Sequence, residues 1–189
     1  MATLVVSVLY LFAPLIAAAM LAGFVMRFDL LPSLRRPIDA GRTLRGRRML
    51  GEHKTWRGVV IAVIGCTMAV AVQKYALAAH VGALALMDYQ DVNVALFGTA
   101  MGAGAMLGEL PNSFVKRQLG ITPGQTGRGL ARGLFYVWDQ VDVLSSWVFV
   151  SCWVRPTFRL VATSFALVLA LHPLVALIGY VVGARKSVR

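Results

Sequence analysis

Three carboxylates, Glu109, Asp139 and Asp142, stand inside or at the ends of strongly apolar stretches. Between them lie Ser113, Lys116 and Arg117 and then a glycine-rich loop. Charges in such surroundings are costly in a bilayer and are functional-site candidates by default. Asp139 and Asp142 are three apart, a spacing that puts both on one face of a helix. Two like charges there repel, and a divalent cation relieves the repulsion. Mg2+ prefers oxygen ligands and commonly takes one or two carboxylates together with substrate phosphates and waters. Glu109 can add a further oxygen. Such a cation neutralises phosphate charge and orients an in-line attack. Ion pairs with Lys116, Arg128 or Arg132 use the same acids equally well, as does a proton or ion path. The residue types alone leave these alternatives open.

Basic groups that could meet phosphate accompany the acids. If the helix runs on past Pro111, Glu109, Ser113 and Lys116 share a face. Lys116 and Arg117 then offer charge-assisted hydrogen bonds to phosphate oxygens; as a bare pair they equally mark a membrane boundary. A second basic stretch contains Arg42, Thr43, Arg45 and Gly46, followed by Lys54 and Thr55. Glycines among basic side chains can hold a triphosphate through backbone amides. Lys54-Thr55, just before an apolar run, adds the positive end of a helix. The glycine spacing is not that of a P-loop, and no strand precedes it. Orienting the chain in a membrane is the simpler use of such a loop.

The elements that must position these residues are apolar. The chain has 189 residues, 58% of them hydrophobic, with a mean hydropathy of +0.71. That points to one all-α integral membrane domain and argues against a nucleic-acid partner, despite a net charge of +11. Five runs are long enough to span, at about 4–26, 58–80, 92–110, 135–154 and 160–182. The first is longer than a signal-peptide core and lacks a basic lead, so it is expected to be retained. Pro111 is expected to end or kink the third helix, leaving a short helix from Asn112 to Leu119 inside a loop at 111–134. Gly98, Gly102, Gly104 and Gly108 are spaced for close helix packing. Cys66 and Cys152 sit in apolar runs and read as small hydrophobes.

Charge fixes an orientation. The 27–57 loop, the 111–134 loop and the tail carry sixteen of the 19 Lys and Arg residues. The segment 81–91 has none. The positive-inside rule places the N-terminus outside and both basic loops in the cytoplasm of a cell-membrane protein. Glu109, Asp139, Asp142, Lys54 and Thr55 then fall at one level, facing the cytoplasm.

Taken together, two ordered motifs resemble a known family. Gly108-Glu109-Leu110 with Ser113-Phe114-Val115-Lys116-Arg117, a Gly/Pro loop and Asp139-Gln140-Val141-Asp142 is similar to the signature of membrane CTP:phosphatidate cytidylyltransferases. The stretch Pro37 to Gly46, continuing into Lys54-Thr55-Trp56-Arg57-Gly58, resembles a loop of the short archaeal-type branch, the CDP-archaeol synthases. The resemblance implies a five-helix enzyme that joins CTP to a membrane lipid phosphate, of archaetidic or phosphatidic acid type. It implies Mg2+ on Glu109, Asp139 and Asp142, with Lys116 and Arg117 on phosphate. Arg42, Thr43, Arg45, Lys54, Thr55 and Ser113 become substrate-binding candidates, and Asp39 a candidate for ribose, cytosine or metal. Glu109 departs from the family, which usually has Asp there, and the 120–134 loop is longer than in short archaeal members. Alternative readings are a CTP-dependent lipid or polyprenol kinase and a non-enzymatic transporter or scaffold.

Overall fold

The computed structural model describes residues 2–77, 81, 84–122, 125 and 129–181. Pro123, Gly124 and Gly127 of the Gly/Pro loop, Arg128, and the tail residues Arg185, Lys186 and Arg189 lie outside the described residues. Helix α1 (Ala2–Arg27) leads to a two-stranded hairpin, β1 (Thr43–Leu44) and β2 (Arg47–Arg48). Then follow α2 (Trp56–Val72), α3 (Val94–Gln118), α4 (Leu130–Val141), α5 (Ser146–Val150) and α6 (Phe158–Val181). Thr3–Arg27, Trp56–Ala76 and Val94–Gln118 are long and apolar enough to cross a bilayer. Met20, Met68, Val72, Leu96 and Val148 stay exposed on the outside of the bundle, as residues facing lipid do.

Two expected boundaries are corrected. Pro111 neither ends nor separates anything: α3 runs through it to Gln118, so 111–118 is helix rather than loop. A proline inside a helix removes one hydrogen bond, which membrane helices tolerate when packing compensates, and here Asn112, Ser113 and Lys116 are all buried. The fourth apolar run is not one helix over 135–154. It starts earlier, at Leu130, and breaks at the second aspartate into a 3-10 turn, Asp142–Ser145, before α5. Asp139 and Asp142 therefore sit at the C-terminal end of α4, not in its first two turns.

The break is held by small residues. α3 packs most extensively on α2, and its other side takes the 3-10 turn and α5. A Cβ on Gly102 would stand 2.5 Å from the Ala62 carbonyl oxygen of α2. One on Gly108 would stand 1.8 Å from Ser145 Oγ and 2.5 Å from the Asp142 carbonyl oxygen. Ser145 Oγ donates to the Gly104 carbonyl at 2.7 Å. Glycines of α3 thus bring both neighbours to backbone contact, as their spacing predicts.

Pro14 inside α1 leaves the Tyr10 carbonyl without its helical donor. Gln73 Nε2 donates to that oxygen at 2.6 Å from the far end of α2, where the helix loosens into a π turn, Gln73–Leu77. Lys74 closes the same end by donating to the Gln90 and Val92 carbonyls at 2.8 and 3.0 Å.

Candidate active site

At the opposite end of α2, Thr55 is the N-cap, its hydroxyl accepting from Gly58 N. Backbone bonds from Ile38 to the Lys54 carbonyl (2.8 Å) and from Trp56 to the Arg36 carbonyl (3.1 Å) fix the entry. Lys54 is thereby presented to α3, where its ammonium pairs with Glu109. One turn further along α3, Asn112 Nδ2 donates to Asp139 Oδ1 at 2.7 Å. Another turn on, Lys116 Nζ reaches both oxygens of Asp139, at 2.5 and 2.6 Å. Asp142 lies within electrostatic reach of Glu109, Lys54 and Asp139, with Asn112 beside it. Residues from three separate segments thus form one cluster of three carboxylates and two ammonium groups. On α3 the cluster runs from Glu109 to Lys116, seven residues or about 10 Å of helix at ~1.5 Å each, and reaches nearly to the helix end at Gln118.

The structure divides the sequence-derived candidates. Glu109, Lys54, Lys116, Asp139 and Asp142 come together, with Ser113 buried on the same stretch of α3. Arg117 does not join them: its guanidinium donates to the Ile121 carbonyl and closes the helix end. Asp39 is 7% exposed and fully engaged. It accepts from the Gly41 and Leu50 N–H groups at 3.0 and 2.9 Å and from Arg48 at 2.9 Å. Burial opposes its ionisation, but those donors outweigh it and hold the carboxyl below the usual carboxylate range. Arg42, Thr43 and Arg45 are exposed on the hairpin. Arg45 and Gly46, at φ 52° and 77°, make its turn. The hairpin docks on the end of α3 through Arg47 to the Gln118 carbonyl and Gln118 Nε2 to the Arg48 carbonyl at 3.3 Å. A groove of about 540 Å³ between them is lined by Leu44, Arg45, Arg47, Phe114 and Gln118. Phe114 and Gln118 lie on the face of α3 away from Asn112 and Lys116, by helical periodicity.

Asn112 is the site residue that sequence reading missed. The signal was there: an amide three residues after Glu109 and four before Lys116 shares their helix face. Its Oδ1 is buried without a hydrogen-bond partner. This oxygen and those of Glu109, Asp139 and Asp142 are all hard donors, the type a divalent cation takes. Among the described residues, no three acids, histidines or cysteines stand as a ready-made metal cluster, and two of the acids are paired with lysines instead.

Apolar helices long enough to cross a bilayer, enclosing a compact set of acids and lysines, define a multi-pass intramembrane enzyme. The family described as CarS-like CDP-archaeol synthase matches residues 1–188. The CDP-archaeol synthase of Halobacterium salinarum is 37% identical over 164 residues, 80% of this chain and 82% of that protein. That of Methanoculleus marisnigri is 31% identical over 159 residues, 79% of this chain and 87% of that protein. A solved structure of "an intramembrane enzyme for archaeal membrane lipids biosynthesis" superposes with a TM-score of 0.62 at 29% identity. It covers 90% of this chain and 92% of that one. The chain belongs to the CDP-archaeol synthase family.

Proposed function

We infer that the protein is a CTP-dependent cytidylyltransferase that converts an archaetidic-type membrane lipid phosphate to CDP-lipid and pyrophosphate. One observation carries the residue assignment: Lys54, Glu109, Asn112, Lys116, Asp139 and Asp142 converge in one cluster from three segments. In the reaction an oxygen of the lipid phosphate attacks the α-phosphorus of CTP. The bond between the α-phosphorus and the bridging oxygen breaks, and pyrophosphate leaves. Because the attacking oxygen is already anionic, no protein nucleophile is required, and catalysis is positioning plus charge neutralisation.

Glu109, Asp139, Asp142 and Asn112 Oδ1 would hold Mg2+. The bound cation would supply neutralisation of phosphate charge and alignment of the displaced group. Lys54 and Lys116 bind phosphate oxygens of nucleotide and lipid with their mobile ammonium groups. Arg42, Thr43 and Arg45 are exposed on the hairpin, whose groove lies on the other face of α3, so they would meet only a part of a substrate that extends past the helix end. Arg117 and Asp39 support the site from outside by closing α3 and ordering the hairpin loop.

Five crossings account for the chain: α1, α2, α3, the broken run Leu130–Val150 and α6. The N-terminus is outside, and the site opens to the cytoplasm. Broken helices at membrane depth are tolerated where protein buries them, and α3 does that for the Asp142–Ser145 turn.

The test is incubation of purified protein with Mg2+, archaetidic acid and CTP labelled at either the α- or the γ-phosphate. Cytidylyl transfer puts the α-label in lipid and the γ-label in pyrophosphate. Lipid carrying the γ-label would instead establish a kinase.

A further inference from the structure

We propose that Lys54 and Lys116 hold the carboxylates closed in the nucleotide-free enzyme, so that a divalent cation enters together with the nucleotide and not before it. The inference rests on the cytidylyltransferase reading and adds an order of events to it. Two of the three acids are already paired with lysine, Glu109 with Lys54 and Asp139 with Lys116. Lys116 is 7% exposed and Asn112, beside it, 2%. A cation arriving alone must displace these ammonium groups; Lys116, whose side chain is 9% exposed, then loses its partner with little water to replace it, while Lys54, at 27%, is only partly shielded. An uncompensated buried charge is strongly unfavourable. A triphosphate removes that penalty, because its oxygens supply new acceptors for both lysines while the acids turn to the cation. Charge pairs are exchanged rather than broken. Lysine suits the exchange, being a point charge with three donors on a flexible stem. Coupling of this kind is reciprocal: the cation tightens the nucleotide by the factor by which the nucleotide tightens the cation.

The probe is Mn2+ bound to purified protein in detergent, followed by electron paramagnetic resonance without lipid phosphate, so that no turnover occurs. Mn2+ held by CTP alone is subtracted. CTP should tighten Mn2+ binding by ~5–150-fold, the usual span of coupling between sites, and CMP, lacking the outer phosphates, should give far less. Lys54→Met and Lys116→Met should each bind Mn2+ more tightly than wild type without nucleotide and respond less to CTP. Lys54→Arg should keep the dependence. A damaged fold loses affinity, so a gain is specific to the lysine's role. Equal Mn2+ affinity with and without CTP in wild type overturns the proposal, as do Met variants whose nucleotide-free affinity is unchanged. If CDP-lipid forms while Mn2+ binds independently of nucleotide, the ordering fails and the activity stands. If the coupling appears but no CDP-lipid forms, the activity reading fails instead.

Discussion

At the scale of single residues, the site is a balance of charges in which each acid has a different neighbour. Glu109 has Lys54, and Asp139 has Lys116 and Asn112. Asp142 has no lysine bonded to it among the described contacts and faces Glu109 and Asp139 across the cluster. It is therefore the acid whose charge no lysine offsets through a direct bond. Asp142→Asn should abolish CDP-lipid formation, a loss of at least ~100-fold, while the melting temperature in detergent stays close to wild type; losing one metal ligand removes several kcal/mol of charge stabilisation. Full activity in that variant would remove Asp142 from the metal set. Asp39 acts differently, because its donors are all within its own loop. Its native carboxyl titrates below the unfolded value of about 3.9. Its contribution is thus complete above that value and lost as pH falls through the native one. Protease resistance of segment 40–50 should hold from about pH 8 to about pH 5 and fall only in stronger acid. Asp39→Ala should expose the segment at neutral pH, each lost charged hydrogen bond costing ~1.5–3 kcal/mol.

At the scale of elements, what could be read in the sequence was the glycine ladder of α3 and that Lys54, Lys116 and the three acids belong near one another. What could not be read was where helices stop. Pro111 is a helix breaker by local rules, yet the missing hydrogen bond is outweighed by Asn112, Ser113 and Lys116 packing inward, a tertiary effect invisible to a sequence window. The break after Val141 was hidden for the opposite reason: apolar composition continues through Trp147 and Val150, so hydropathy does not mark it. Gly108 ties the two surprises together, since it lets the Asp142–Ser145 turn lie against an unbroken α3. Gly108→Ala should push the turn off by the width of a methyl group, lowering stability by ~1–3 kcal/mol. Activity should fall further than stability, because Asp142 moves with the turn. A variant with normal turnover would show that the turn's approach to α3 does not set the site. At the other end, Gln73→Leu leaves the Tyr10 carbonyl freed by Pro14 without a donor. That should cost ~1–3 kcal/mol in thermal unfolding and leave nucleotide binding intact, since Gln73 lies at the opposite end of α2 from Lys54.

At the scale of the whole molecule, charge distribution and site position must agree, because CTP is a cytoplasmic solute and the lipid phosphate is a membrane component. Sixteen of 19 basic residues fall in segments assigned to one side, the side on which the hairpin and Lys54 stand. The proposed topology puts the turn after α5 on the other side; that turn carries Cys152, which is exposed, whereas Cys66 is buried. The chain thus has a native reporter of orientation. A membrane-impermeant maleimide applied to intact cells should modify Cys152 and spare Cys66. In a Cys152→Ser background, Thr43→Cys on the exposed hairpin should react only after the membrane is opened. Adding CTP with Mg2+ to opened membranes should slow that reaction if the hairpin covers bound nucleotide. The reverse pattern, hairpin labelled from outside and Cys152 protected, would invert the topology. It would also place the acid-lysine cluster on the side where no CTP is available, so orientation and function would fail together.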